Sequence, residues 1–412
     1  MSLPTQALEG IRVVEFTQGM AGPWIGRMLA WCGAEVIRIE SRQVPGVVRL
    51  YVSPHEPEAG IQPELSPWFT DWDAGKLFVA IDLKRPGGVE LAGRLVARAD
   101  IAIENHRSGA LAKLGLGWDA LERLNPALIG LSSSGFGDSG PHPGYVTWGP
   151  NIEAMSGLAC LSGFEHRDCA MTQYAYPDAL SALHGLFAIL CALDHRDRTG
   201  VGQRISIAQL ETTVAMIGPQ MMEQLLHDRA PRKLGNRSLH QAPHGCYPCH
   251  GDDRWCVICV RSDAEWYALG AIAELAELVA DPRFTSTSGR LAACDEIDAA
   301  IADWTCRHDA FELVERLQSL GIAAGVVQDT EDQYQRDTHL AERGFFESIP
   351  HLRRGEVTAT GIPLGLSGTP GHTSRAGASM GEDNEHVFRD LLGLSRDEYA
   401  AHVANGAIES SD

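Results

Sequence analysis

Strand-like and helix-like segments alternate from the start of the chain, and this alternation is the feature that most constrains the fold. Residues 11–16 form a β-branched apolar run typical of a buried strand, and residues 34–40 form a second one. Between them, a glycine-rich turn leads into an apolar helix that Pro23 can open and Gly33 can end. This βαβ unit of about thirty residues predicts a parallel sheet with right-handed crossovers.

The alternation continues as far as residue 208. Further strands are expected at 77–83, 101–104, 127–132 and 203–208, with helices at 86–99, 177–195 and 209–227. Repeated βα units predict a doubly wound α/β core. A stretch at 228–251 rich in Arg, His, Pro and Gly then leads to a second region with helices at 264–280 and 296–306 and a strand at 322–327.

Charge and hydropathy exclude several classes of protein. The formal net charge of −20 repels phosphate backbones, which argues against general nucleic-acid binding. The first residues lack the basic and apolar regions of a secretory signal, and the longest apolar stretch, 179–193, is shorter than the roughly 20 residues that cross a bilayer. The ten cysteines are scattered, which favours reduced thiols. We therefore expect a cytoplasmic protein without a membrane partner.

Lysine usage indicates a local anion site. The chain has four lysines, and three of them, Lys76, Lys84 and Lys113, lie in the first 113 residues. Several arginines accompany them, namely Arg42, Arg49, Arg85 and Arg107. Most of these cations directly follow a predicted strand end, where open α/β sheets bind ligands. A cationic cluster there suits a polyphosphate such as coenzyme A or a nucleotide, although unrelated solvated side chains give the same pattern.

Asp178 follows Pro177 at the start of a long apolar helix, and two interpretations are open. An acid in the first helical turn caps free N–H groups and complements the helix dipole. The same carboxylate is also suited to attack a thioester and form a mixed anhydride. Neighbouring backbone N–H groups would then hold the oxyanion, and the Gly-, Ser- and Pro-rich loop at 132–143 is a candidate source or lid.

Two other kinds of site deserve comparison with this one. Glu40 ends the second strand, where a dinucleotide-binding protein has its ribose-binding acid, but the G-x-G-x-x-G fingerprint is absent. A nicotinamide-dependent oxidoreductase is therefore a weak alternative. Two C-x-x-C pairs, at 246–249 and 256–259, suggest zinc, but the second lies on a predicted strand. Residues three apart on a strand face opposite sides, so we expect buried thiols and no metal.

Several segments, in order and spacing, resemble the class III CoA-transferases, the CaiB/BaiF family that includes formyl-CoA transferase and carnitine CoA-transferase. The similar segments are LEGIRVVEF from residue 8, AGP from 21, GAEVIRIE from 33, AIDLK from 80, ENHRSGALAKLG from 104, NPALI from 125, GFGDSGP from 135, Asp178 with its helix, TGVGQRISI from 199 and GIAAGVV from 321. The similarity covers most of residues 8–365.

The resemblance implies a fold, an assembly and a site. The fold would be α/β, a Rossmann-like large domain with a parallel sheet built from both chain ends, plus a smaller α/β domain. Its parts would be 1–225, the small domain with linkers at 226–330, and a return segment at 331–412. Family members form interlocked dimers, so a homodimer or an assembly with a second homologous subunit is expected. The catalytic residue would be Asp178, and coenzyme A would be held by Gly19, Met20, Ala21, Arg42, Leu83, Lys84, Asn105, His106, Arg107 and Lys113.

The resemblance also suggests the reaction. An acyl-CoA would donate coenzyme A to a small organic acid through an aspartyl anhydride and an aspartyl-CoA thioester, with no tightly bound cofactor and no metal. The racemase branch of the superfamily uses a His-Asp pair that would fall near 148–151, where both are missing, so an α-methylacyl-CoA racemase is the second choice. A non-enzymatic CoA-binding protein is a further alternative. Succinyl-CoA and an aromatic or branched dicarboxylate are the expected substrates, with four aromatic residues suggested for the acid pocket, Trp24, Trp148, Tyr174 and Tyr176.

Overall fold

The chain forms two compact units in the computed structural model, which describes residues 6–52, 60–229 and 231–410. The large unit comprises Met1–Ala159, Met171–Arg229 and Leu340–Asp412. The small unit comprises Cys160–Ala170 and Ala230–His339. Early and late parts of the chain thus fold together in the large unit.

Within the described residues, the strands in chain order are β1 (Arg12–Phe16), β2 (Glu35–Glu40), β3 (Leu77–Ala80), β4 (Ile101–Glu104), β5 (Ile129–Ser134), β6 (Gln203–Ala208), β7 (His244–Pro248), β8 (Trp255–Cys259), β9 (Ala323–Val326), β10 (Phe346–His351) and β11 (Gly355–Thr360). The first six form one sheet, β7 to β9 a second, and β10 with β11 a third.

The α-helices of the same residues are α1 (Ala21–Trp31), α2 (Pro67–Trp72), α3 (Gly88–Val96), α4 (Ala110–Lys113), α5 (Trp118–Leu124), α6 (Gly149–Ser156), α7 (Leu158–Leu161), α8 (Tyr176–Thr199), α9 (Gln209–Met216), α10 (Gly218–His227), α11 (Asp263–Leu269), α12 (Ala276–Ala280), α13 (Thr287–Ala292), α14 (Cys294–Thr305), α15 (Ala310–Ser319), α16 (Thr330–Gln335), α17 (Thr338–Glu342) and α18 (Arg396–Ala404). Short 3₁₀ segments occur at Val47–Leu50, Ala273–Leu275 and Pro282–Phe284, and a π-helix at His386–Leu391.

The sheet of the large unit is parallel throughout and has the order β3-β2-β1-β4-β5-β6. This is the doubly wound order, in which β2 and β3 are added on one side of β1 and the strands from β4 onwards on the other side. All six strands come from residues 12–208, and the late part of the chain adds only an isolated antiparallel bridge between Ile81 and Ile408. The prediction of a parallel α/β sheet is confirmed. Both ends of the chain contribute to the large unit, although among the described residues the strands of its sheet all come from the early part.

Apolar cores cover both faces of this sheet because successive strand residues point to opposite sides. Val13 packs with Ile25 of α1 and Ile189 of α8 on one face. Val14 packs with Leu91 of α3 and Phe388 of the π-helix on the other. Both faces are therefore buried, as a parallel sheet requires.

Two predicted helices are interrupted. The helix expected at 209–227 is split at Ile217 into α9 and α10, because Pro219 lacks an N–H and its ring would clash with the carbonyl of the preceding turn. The helix expected at 264–280 is split after α11, where Gly270 forms the cap. An apolar periodicity alone did not reveal either break.

The small unit contains an antiparallel sheet of order β7-β8-β9. Trp266 and Trp304 are almost fully buried in its core. The second pair of cysteines lies on β8, as predicted, and burial raises the pKa of the Cys256 thiol. No group of three His, Cys, Asp or Glu side chains that could hold a metal occurs among the described residues.

Candidate active site

A cavity of about 760 Å³ opens at the carboxyl ends of β1 and β4, the point at which the strand order reverses. Open α/β sheets bind their ligands at this position. We call it the reaction cavity. The described residues that line it include five of the predicted site residues together with Asp178, namely Gly19, Met20, Asn105, His106, Arg107 and Asp178.

Asp178 is the third residue of α8, and its carboxylate faces the reaction cavity. Burial raises its pKa to about 6. Three hydrogen bonds oppose this rise, from the Ala21 N–H, from the N–H of Asp178 itself and from the Gln209 side chain. The helix N-terminus favours the ionised form of this carboxylate, but desolvation is the larger effect on its pKa.

Four helices begin around this carboxylate. Ala21 is the first residue of α1, Gly149 of α6 and Gln209 of α9, while Asp178 lies in the first turn of α8. A Cβ atom on Gly149 would lie 2.7 Å from Asp178 Oδ2, so only glycine leaves that oxygen accessible. Helix N-termini carry partial positive charge and unpaired N–H groups. The site is therefore arranged to stabilise negative charge on or next to Asp178.

The turn after β1 is held in place from β4. The Asn105 side chain donates to the Gln18 carbonyl at 2.7 Å and accepts from the Gln18 N–H at 2.8 Å. Gly19 has φ +64°, a left-handed conformation that favours glycine. A Cβ on Gly22 would lie 2.6 Å from Thr17 Cγ2, so this helix can begin close to β1 only with glycine there.

A second, smaller cavity of about 230 Å³ lies beside the first, at the ends of β1 to β4. We call it the side cavity. Leu83 and Lys84 line it, and His106 lines both cavities. Burial lowers the pKa of His106, so its imidazole is neutral at physiological pH. The two cavities together bring Leu83, Lys84 and His106 near the Asp178 region.

Three predicted ligand residues line neither cavity, namely Ala21, Arg42 and Lys113. The Arg42 N–H donates to Glu409 at 2.7 Å, and its guanidinium donates to the carbonyls of Met380 and Ser410. Lys113 ends α4 with an exposed side chain.

The predicted cationic cluster is only partly a ligand surface. Lys76 is fully buried and pairs with Glu15 and Asp73, each at 2.7 Å, so its inclusion in an anion site is wrong. Arg49 is also fully buried and pairs with Glu40 at 2.6 Å. This pair also occupies the Glu40 carboxylate that a ribose would need.

The aromatic residues around the reaction cavity are mostly different from those expected. Trp148 lines it as predicted, whereas Trp24, Tyr174 and Tyr176 do not. Three residues that the sequence did not single out, Tyr51, Trp68 and Tyr145, line it instead. Tyr51 and Trp68 stack with ring centroids 5.1 Å apart. These rings come from loops and a short helix without a strong sequence pattern.

Sequence analysis also missed Gln209 and Gly149. Gln209 directly follows the end of β6, and its position at the carboxyl edge of the sheet is the signal that could have identified it. Gly149 begins a helix with no cationic or acidic neighbour in sequence, so no motif marks it. The predicted loop at 132–143 contributes Ser133 and Gly135 to the cavity, although residues 132–134 belong to β5.

The doubly wound sheet with a desolvated carboxylate at its switch point defines a Rossmann-like α/β protein with a buried acid in its cavity. Residues 8–384 match the model of CoA-transferase family III. The chain is 32% identical over 405 residues to the succinyl-CoA–D-citramalate CoA-transferase of Chloroflexus aurantiacus, covering 98% of this chain and 99% of that protein. It is 29% identical over 389 residues to the succinate–glutarate CoA-transferase of Agrobacterium fabrum, covering 94% and 96% respectively.

A solved structure is similar as well. The crystal structure of a CAIB/BAIF family protein from Brucella suis matches with a TM-score of 0.85 and 28% identity, covering 95% of this chain and 100% of that one. The chain therefore belongs to CoA-transferase family III, which confirms the resemblance, and it is an enzyme of the acyl-CoA:carboxylate CoA-transferase class.

Proposed function

We propose that this enzyme transfers coenzyme A between an acyl-CoA donor and a free carboxylic acid through covalent intermediates on Asp178. The observation that carries the proposal is the Asp178 carboxylate itself, desolvated to a pKa of about 6 among helix N-termini in the reaction cavity. A carboxylate in such a place is suited to nucleophilic catalysis.

The first step forms a bond between an Asp178 oxygen and the thioester carbonyl carbon of the donor. The C–S bond breaks, the sulfur leaves as CoA thiolate, and an acyl–aspartyl anhydride remains. The thiolate then attacks the Asp178 carbonyl carbon, and the donor acid leaves as a carboxylate with the electron pair of the broken C–O bond. The acceptor carboxylate completes the cycle by the reverse steps, so charge and atoms balance without a metal or a tightly bound cofactor.

Burial of Asp178 favours this chemistry in two ways. With a pKa of about 6, roughly nine-tenths of Asp178 is ionised at pH 7, so the nucleophile is present. The anhydride and the aspartyl-CoA thioester are both neutral at Asp178, so forming either one relieves the cost of a desolvated charge. Exclusion of water also protects the anhydride from hydrolysis.

Coenzyme A would extend across both cavities. We place the nucleotide end at the side cavity, next to Leu83 and Lys84, and the thiol in the reaction cavity at Asp178. The neutral His106 lies where the pantetheine arm passes from one cavity to the other. Arg107, which lines the reaction cavity, would supply positive charge there. The Michaelis constants of Lys84→Ala and Arg107→Ala for CoA esters should be about tenfold above those of the parent and should depend less on salt concentration, because the charge that salt screens has been removed.

We propose succinyl-CoA as the donor and an acid with an apolar or aromatic body as the acceptor. Two similar proteins carry succinyl-CoA or succinate in their names. The reaction cavity offers Tyr51, Trp68 and Trp148 as apolar surface for the acyl group and Arg107 for a second carboxylate. A panel of free acids, with chromatography of the CoA esters formed, tests this choice. Faster transfer to oxalate than to every aryl or branched acid would contradict it.

An interlocked homodimer in the cytoplasm is the proposed assembly, with a homologous second subunit as the alternative. By length and composition alone α8 could cross a membrane, but its Ile189 and Ala192 pack against the parallel sheet.

The opposite face of α8 leaves the Phe187 side chain 70% exposed, and Leu225 of α10 is 73% exposed. Such apolar surface indicates a protein partner. Light scattering of the purified chain tests the assembly, and a monomer that transfers coenzyme A at full rate would contradict it.

Trapping locates the covalent intermediate. The enzyme is incubated with an acyl-CoA donor without acceptor, quenched with hydroxylamine and digested, and mass spectrometry should find a hydroxamate on Asp178. Asp178→Asn should show neither label nor transfer. Asp194→Asn, an exposed change on the same helix, is the matched control and should keep both. Label on another residue, or transfer by Asp178→Asn near the parent rate, would overturn the mechanism, and solvent deuterium at the α-carbon without acceptor would indicate a racemase.

A further inference from the structure

The reaction cavity contains a polar side chain for which the proposed cycle, as described so far, has no use. Gln209 is only 7% exposed and lines the cavity together with Asp178, and its side chain acts to lower the pKa of the Asp178 carboxyl group. A buried amide is costly to the fold unless its hydrogen bonds are made, so a glutamine held at this position needs an explanation.

The main chain fixes Gln209 firmly. It is the first residue of α9, and its carbonyl accepts hydrogen bonds from Thr213 Oγ1 at 2.8 Å and Thr212 Oγ1 at 2.9 Å. β6 ends one residue earlier and is held in register by β5. The amide is therefore positioned by rigid elements, as a group that must meet a developing charge should be.

We infer that Gln209 is a catalytic residue whose amide N–H, with the Ala21 N–H, forms the oxyanion hole for attack on the aspartyl carbonyl. The inference rests on the proposed function, because it needs Asp178 to become an anhydride or a thioester. When CoA thiolate attacks that carbonyl carbon, one oxygen of Asp178 becomes fully negative. The donors that already contact the carboxylate then remain in place and strengthen as the charge concentrates.

The side of Asp178 next to Gly149 has room for an incoming group only because residue 149 has no side chain. A Cβ atom on Gly149 would lie 2.7 Å from Asp178 Oδ2. We infer that the nucleophile or acyl group approaches the carboxyl group past Gly149. The inferred hole thus consists of the α1 N-terminus and a side chain from α9. The loop at 132–143, suggested from sequence, is not required for it.

The test replaces the donor but keeps the volume. Gln209→Met should lower kcat for transfer by about 10²-fold, the loss typical of removing one oxyanion donor, with Michaelis constants for both substrates within about threefold of the parent. Its acid limb in the pH profile of kcat/KM should move above pH 6, because removing a hydrogen bond to the ionised form raises the pKa of Asp178. Gln203→Met, an exposed glutamine at the other end of β6, is the matched control.

A second variant covers the case in which methionine disturbs folding. Gln209→Glu has the same size, loses the donor and adds a negative charge, so the acid limb should move further up and kcat should fall at least as far. If either folded variant retains kcat within threefold of the parent with an unmoved acid limb, the inference is wrong. Asp178→Asn is assayed in parallel, because an active Asp178→Asn protein refutes the proposed function itself, whereas an inactive one beside an active Gln209→Met refutes only the role of Gln209.

Discussion

The side-chain amide of Asn105 forms two reciprocal hydrogen bonds with the main chain of Gln18, and this pair ties the end of β4 to the turn after β1. A role in holding coenzyme A was expected for Asn105, but both ends of its amide are engaged with the protein. Its effect on the ligand should therefore act through the Gly19-Met20-Ala21 turn, of which Gly19 and Met20 line the reaction cavity.

Asn105→Ala should weaken binding by releasing this turn. We expect a loss of about 2 kcal/mol in the free energy of unfolding, since the Gln18 N–H and carbonyl lose their partners, and about a tenfold rise in the Michaelis constant for acyl-CoA. Asn125→Ala is a matched control, because its amide also bridges main-chain groups, of Ala99 and Ala127, but at the amino edge of the sheet. Equal effects of both variants on the Michaelis constant would show that Asn105 has only a general role in stability.

Activity should fall on the acid side with an apparent pKa near 6. Protonation of Asp178 removes the nucleophile, and burial places this titration well above that of an ordinary aspartate. The pH dependence of kcat/KM measures it. An acid limb at pH 4 would mean that the carboxylate is solvated in the working enzyme.

The same shift makes Asp178 unfavourable for folding at neutral pH. A carboxyl group whose folded pKa lies above its unfolded value contributes full stability only below the unfolded pKa, near 4, and loses it as pH rises to about 6. Asp178→Asn should therefore be more stable than the parent by on the order of 2 kcal/mol at pH 7.5, after allowance for partial solvation, and the difference should shrink towards pH 4. Denaturant titrations at several pH values test this, and a pH-independent difference would contradict it.

Gly149→Ala should impair catalysis without harming the fold. The new methyl group would lie 2.7 Å from Asp178 Oδ2 and block the approach to it, while alanine is favourable at a helix start. We expect kcat/KM to fall by about 10²-fold, with the melting temperature unchanged or higher. Gly144→Ala, where a Cβ meets no atom within 4 Å, should behave like the parent. Full activity of Gly149→Ala would mean that substrates approach Asp178 from elsewhere.

Substitution of Lys76 should lower the stability of the fold, whereas substitution of Lys84 should weaken the binding of acyl-CoA. Lys76→Met leaves the buried Glu15 carboxylate without its ion-pair partner and Asp73 paired only with Arg38, so we expect a loss of about 3–5 kcal/mol in unfolding free energy and an unchanged Michaelis constant for acyl-CoA in the folded protein. Lys84→Met, at an exposed position on the side cavity, should show the reverse. If the Lys76→Met protein were fully stable but bound coenzyme A more weakly, Lys76 would have to be regarded as a ligand-binding residue.

The agreement between the sequence predictions and the structure depends on how far along the chain each sequence signal acts. The strands at 101–104 and 203–208 were predicted residue for residue, because β-branched runs and alternation act over a few neighbours. The split at Ile217 was missed because an apolar pattern outweighed one proline. Asp178 was predicted from its helix start and the family resemblance, and it lines the reaction cavity. The position of Gln209 in the same cavity depends on β5 and β6 ending at the same edge of the sheet, which is a tertiary relationship.

The cations illustrate the same limit in another way. Lys76, Lys84 and Arg49 have similar sequence surroundings, each near a strand, yet two are buried ion-pair partners and one lies on a cavity. What separates them is whether a carboxylate from a distant segment reaches the charge, as Glu15 reaches Lys76 across 61 residues. No pattern within a window of a few residues contains that information.

The contact between Arg42 and Glu409 has a consequence for biosynthesis. The Glu409 N–H also donates to the Ala80 carbonyl at 3.0 Å, so residues near 409 join the ends of β2 and β3 beside the side cavity. The ribosome releases this segment about two hundred residues after Gln209, roughly 10 to 40 s later at ordinary elongation rates. A nascent chain therefore carries all the residues that line the reaction cavity well before the segment that supports residues 80–82, next to Lys84, has been made, and productive capture of coenzyme A should begin only after translation has passed Glu409.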